Sequence, residues 1–136
     1  MEDIKSKFED VMRTDTTIQS LMGGTPQDPR VYPFYSGTAE ITPEKPAFIT
    51  YSLMDPTKTL AVGNPVFTVA IWTREWVRAE RVLARLRGLF DQEIHITAAP
   101  NNRRLYTKVL NANDKYQQEP RYAGKDVQIS AGWSAV

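Results

Sequence analysis

The apolar positions of this chain change period once, abruptly, near its middle. Through residues 65–73, Phe67, Val69 and Ile71 alternate with Thr68, Ala70 and Trp72, the two-residue repeat of a β-strand. Both faces are largely apolar, so the strand is expected inside a sheet. From about residue 74 the repeat becomes helical: Ala79, Val82, Leu83, Leu86, Leu89 and Phe90 recur at spacings of three and four and form one stripe for a core. Thr73 is the predicted N-cap.

The same reading extends outward. Ile4, Phe8, Val11 and Met12 predict a helix over residues 2–12, and Ile18, Leu21 and Met22 a shorter one, capped by Asp15 or by a Thr16–Gln19 capping box and stopped by Gly23 and Gly24. Residues 25–46 carry Pro26, Pro29, Pro33, Pro43 and Pro46 and read as an extended, turn-rich connection. Within it Val31, Tyr32, Phe34 and Tyr35 are expected to be covered, as a short edge strand or by packing across a neighbour. Residues 47–53 form a second strand and pair with residues 65–73 as a hairpin whose long tip is residues 55–64. Short strands are predicted over residues 93–98 and 103–110, a turn at 100–102, a polar loop over 111–125 and a last strand over 127–133, with Val127, Ile129, Ala131 and Trp133 on its inward face. No repeat or second domain interrupts this order, so residues 1–136 are read as one domain.

Composition removes several kinds of chemistry. There is no cysteine, hence no disulfide framework, thiolate zinc site or thiol nucleophile. The acidic start lacks a secretory signal pattern, and no stretch approaches the roughly 20 apolar residues of a membrane span. The chain is therefore expected to be made in the cytoplasm, with no membrane partner. A net charge of +1 argues against wholesale nucleic-acid binding. Residues 1–73 hold 6 Lys and Arg against 9 Asp and Glu, whereas residues 74–136 hold 11 against 7. That polarity suits a head-to-tail contact between identical subunits.

No constellation points to catalysis. His95 is the single histidine and sits between Ile94 and Ile96, a setting for a structural ring. Residues 23–26, Gly-Gly-Thr-Pro, lack the lysine and the following helix of a phosphate cradle. Glu2, Asp3, Glu9 and Asp10 are expected to be solvent-exposed on the first helix, where nothing raises a carboxyl pKa. The expectation is no enzyme, no metal ligands and no cofactor. Arg103, Arg104, Tyr106, Lys108, Arg121, Tyr122 and Lys125 have the flavour of a stacking surface for nucleic acid, but ordinary decoration of a sheet explains them more simply. Arg74, Arg78, Arg81 and Arg85 project within about 60° of one another on the long helix. They read either as a solvated face or as a contact surface for an acidic neighbour or passing DNA.

The order of these parts resembles a known family. A helix ending at Leu21-Met22-Gly23-Gly24, an Arg30-Val31-Tyr32-Pro33 element, the strand Pro46-Ala47-Phe48-Ile49-Thr50-Tyr51 and the strand–helix unit from Val66 to Phe90 are similar to the tail-completion, or tail-terminator, proteins of long-tailed bacteriophages. The likeness covers nearly the whole chain. It implies an α+β fold in which an antiparallel or mixed β-sheet packs against one long helix, with an N-terminal helix. It also implies a ring of copies, commonly six, in the tail or neck of the virion. The partners implied are the chain itself, the tail tube protein, a head connector or stopper protein, and DNA that passes through the lumen without sequence specificity. A head-completion or stopper neck protein and a small nucleic-acid-binding α+β module are the alternatives.

Contacts with neighbours are expected where apolar residues lie outside regular elements: Pro56, Leu60 and Val62 in the hairpin tip, and Tyr32, Phe34 and Tyr35 in the proline-rich tract. The arginine ridge is the candidate partner for acidic residues of an adjacent subunit, such as those near Glu9 and Asp10.

Overall fold

The computed structural model describes residues 2–34, 39–54, 65–100, 102–118 and 121–135. Its elements run α1 (Glu2–Arg13), α2 (Thr16–Met22), β1 (Val31–Pro33), β2 (Ala47–Met54), β3 (Val66–Thr73), α3 (Trp76–Phe90), β4 (Glu93–Ile96), β5 (Arg103–Gln118) and β6 (Arg121–Ala135). The strands form one curled, mixed sheet in the order β1-β2-β3-β6-β5-β4. β1 pairs with β2 in parallel, and every other pairing is antiparallel.

The core follows from the period-two repeat of the central strands. Ile49, Tyr51 and Leu53 of β2 stand opposite Ile71, Val69 and Phe67 of β3, which stand next to Val127 and Ile129 of β6. These residues share one face, and the helices cover it. The Phe8 ring of α1 stacks on Phe67 at 3.9 Å between centroids and on Phe90 of α3 at 4.5 Å, joining both long helices to the central strand. Ile4, Phe8 and Met12 of α1 and Ala79, Val82, Leu83, Leu86 and Phe90 of α3 are buried, as their spacing predicts. The hairpin of β2 and β3 and the interior place of β3 also match the sequence reading.

Other expectations are corrected. The sheet is not covered by one long helix: α1 has 12 residues against 15 in α3, and α2 adds a third helix to the layer. Thr73 does not cap α3, because it stays in β3 opposite Ala47, donates to the Pro46 carbonyl at 3.0 Å and accepts from the Glu75 amide. Glu75 takes the N-cap position without a side-chain capping bond. At α2 the choice resolves to Asp15, whose carboxylate accepts from the Ile18 amide at 2.9 Å, while Gln19 turns away to donate to the Arg13 carbonyl. Gly23 ends α2 with φ of 69°, and a Cβ there would lie 2.2 Å from the Glu44 carbonyl oxygen.

The largest correction concerns residues 111–125, read as a loop. Residues 111–118 and 121–125 are strand, because β5 and β6 run on as one antiparallel pair of 16 and 15 residues. Polar residues alternate there on two faces that are only partly covered, so apolar periodicity has little to mark. Trp133 shares the face of Ile129 and Ala131, opposite Leu105, but is 46% exposed there, under the Arg103 guanidinium at 4.4 Å. Phe34 is half-exposed rather than covered, while Val31 is buried and Tyr32 partly so. Of the carboxylates expected in solvent on α1, Asp3 pairs with Arg103 at 3.4 Å and Glu9 accepts from Tyr51.

Candidate assembly surfaces

Arg74 lies before the first turn of α3, so only Arg78, Arg81 and Arg85 of the expected ridge are on the helix, and the four divide into two pairs with different jobs. Arg85 grips Asp15 with two nitrogens, Nη2 at 2.6 Å and Nε at 3.0 Å from separate carboxylate oxygens. That bond holds the Asp15 carboxyl below the usual carboxylate range, against the opposing effect of burial. Arg78 donates to Glu75 at 2.9 Å and to the Leu21 carbonyl at 2.8 Å. A cation thus sits at the C-terminus of α2 and a carboxylate at its N-terminus, each favourable to the helix dipole. Arg74 and Arg81 are exposed. Arg74 and Arg78 line a groove of about 320 Å³ floored by Ile41, Pro43 and Pro46.

The uncovered face of the sheet carries a second cluster. Phe48 stacks on Trp72 at 5.9 Å, Tyr122 meets Trp72 edge-on at 5.4 Å, and Tyr32 flanks Phe48. The Lys115 ammonium lies 3.1 Å from the Trp72 ring centre and 3.2 Å from Asp126. Burial lowers the Lys115 pKa, with Asp126 offsetting part of the effect. Trp72, Lys115 and Asp126, together with Phe34, Thr50, Ser52, Thr68 and Ala70, line a cavity of about 300 Å³. Farther along the same face, Ile94 and Tyr106 form an exposed cross-strand pair with Ile96 beside them.

On the helix face, Lys125 is buried between Glu80 of α3, at 2.8 Å, and Asp114 of β5. Burial disfavours its charge, but the hydrogen bonds to Asp114 and Glu80 prevail and raise its pKa. Beside it, Gly124 brings β6 so close to β3 that a Cβ would lie 1.9 Å from the Ile71 carbonyl oxygen.

Of the residues singled out from the sequence, Arg78 and Arg85 are thus engaged within the chain, Arg74 and Arg81 face solvent, and Tyr32 and Phe34 lie on the open face near the β1 end. Tyr35, Pro56, Leu60 and Val62 lie outside the described residues. His95 packs against Phe90 and bonds through Nε2 to the Leu89 carbonyl oxygen. Among the described residues there is no group of three or more His, Cys, Asp or Glu placed to hold a metal ion, and no helix long and apolar enough to cross a membrane. Sequence reasoning missed the Lys115–Asp126 and Lys125–Asp114 pairs. The alternation of Ala112, Asp114 and Tyr116 with Asn113 and Lys115 was the available signal.

No protein-family profile matches the chain, and no curated protein does. The fold itself has a counterpart. A chain from the solved structure described as "Virion of native gene transfer agent (GTA) particle" superposes with a TM-score of 0.63 at 15% identity, over 93% of this chain and 91% of that one. The α+β architecture is therefore shared almost end to end.

Proposed function

We propose that this chain is a structural virion protein of a phage-type particle, specifically a tail terminator. Copies close head-to-tail into a ring, expected to be a hexamer, that caps the tail tube. The ring presents its other rim to the head connector or stopper, and DNA passes through the lumen without sequence readout. No catalysis is assigned. The supporting observation is the likeness, over nearly the full length of both chains, to a component of a gene transfer agent virion. Exposed Arg74 and Arg81 and the groove at Arg74 and Arg78 are the candidate ring contacts, in keeping with the opposite charge of the two halves of the sequence. The test is mass measurement and electron microscopy of the purified protein, alone and with tail tube protein in the absence of heads. Rings seated on tube ends are expected. Association with a portal-side protein alone would make it a stopper, and a monomer with strongly salt-dependent DNA binding would make it a nucleic-acid module.

A further inference from the structure

We propose that the outer edge of β5, residues 111–118, is a strand-pairing site for a second copy of this chain, which docks through the same stretch in antiparallel orientation. β4 covers β5 only between Arg104 and Thr107, and the Val109 amide is taken by Asp91. Past the register shift between Val109 and Asn111, the outward amides and carbonyls of residues 111–118 have no backbone partner among the described residues. This is a row of about 27 Å of unpaired strand.

Sheet edges ordinarily discourage pairing with outward charges or proline. Here both charges are paired within the chain rather than left unmatched at the edge: Asp114 to Lys125, and Lys115 to Asp126 and the Trp72 ring. The stretch contains no proline.

The opposite edge selects the occupant. On β1, Arg30 O and Phe34 N bond inward to β2, so Val31 and position 33 face outward. Arg13 already donates to the Val31 carbonyl at 2.7 Å, and residue 33 is a proline with no amide to give. A head-to-tail continuation of the sheet is therefore blocked, and the edge contact that satisfies both copies is β5 against β5 about a twofold axis. In the register centred on Asn113, Asn111 meets Lys115, Ala112 meets Asp114, and no like charges are opposed. Leu110 approaches Tyr116, covering side chains that are 48% and 55% exposed in the single chain. This contact is separate from the ring contact and does not rest on it.

The chain has no cysteine, so Asn113→Cys introduces one thiol. In the proposed pair two such residues face each other at about 5 Å between Cα atoms, within disulfide reach. Mild oxidation is expected to convert Asn113→Cys to a linked dimer, while Glu44→Cys, exposed toward the β1 end, stays unlinked. In the unaltered protein, amides of residues 111–118 are expected to exchange about tenfold more slowly at high than at low concentration. Absence of the linked dimer together with concentration-independent exchange overturns the proposal. Protection of residues 111–118 without the Asn113→Cys dimer also overturns the assignment to a second copy, and gives the edge to a strand of another polypeptide.

Discussion

The two ends of the sheet solve the same problem in opposite ways. At the β1 end a three-residue strand is sealed by one arginine and one proline, Arg13 on the Val31 carbonyl and Pro33 in place of an amide. At the other end a four-residue strand covers a quarter of the 16-residue β5 and leaves residues 111–118 with their hydrogen-bonding row outward. Both outer strands are short, so length does not make the difference. Two side chains do, and the contrast shows that closure of a sheet edge can reside in very few atoms.

The hardest blow to this contrast is expected from Gly124→Ala, because the new methyl meets the Ile71 carbonyl and β6 must back away from β3, carrying the open edge with it. A loss of about 3 kcal/mol in denaturant unfolding is expected, with faster amide exchange through residues 111–125. A next smaller effect is expected from Lys125→Met, which cuts the tie from the hairpin to α3. Glu80 and Asp114 are more than half exposed and can be rehydrated, so the loss is about 1 kcal/mol. Its sign with pH is a check. The Lys125 pKa is raised on folding, so its contribution is present in full below the ordinary lysine value of about 10.4 and fades as pH climbs through the higher folded value. Thermal unfolding of the unaltered protein is expected to show that alkaline decline, and the variant a shallower one, because Tyr32 and Tyr51, whose hydroxyl pKa values burial pushes up, still contribute. The smallest energetic effect, within about 0.5 kcal/mol, is expected from Pro33→Val, yet it is the sharpest test of edge closure. Restoring an outward amide at β1 is expected to produce assemblies that keep growing with concentration in light scattering. Unchanged particle size would show that Pro33 does not close the edge.

Much of the fold was legible where one face of an element is buried. Phe67, Val69 and Ile71 marked β3, and Ala79, Val82, Leu83 and Leu86 marked α3, because burial forces apolar residues to a fixed period. Residues 111–125 escaped because the ribbon is held by polar side-chain pairs such as Lys115–Asp126 and by backbone, neither of which leaves an apolar rhythm. Pro120 and Gly124 also read as loop punctuation, yet Gly124 lies mid-strand and serves close packing. The surface was less legible still. Four arginines at helical spacing look alike in a sequence, and only the placement of Asp15 and the Leu21 carbonyl separates the two that are engaged from the two that face water.

That separation bears on how any interaction at α3 can be read. A seven-residue helix is too short to persist in water by itself, so the order of α2 is borrowed from the guanidinium groups at its two ends. An external carboxylate that recruits Arg78 or Arg85 competes with the internal one, and weakened binding after charge reversal at those positions would report unravelling of α2 together with any lost contact. Arg81 carries no such double duty, and is the clean reporter.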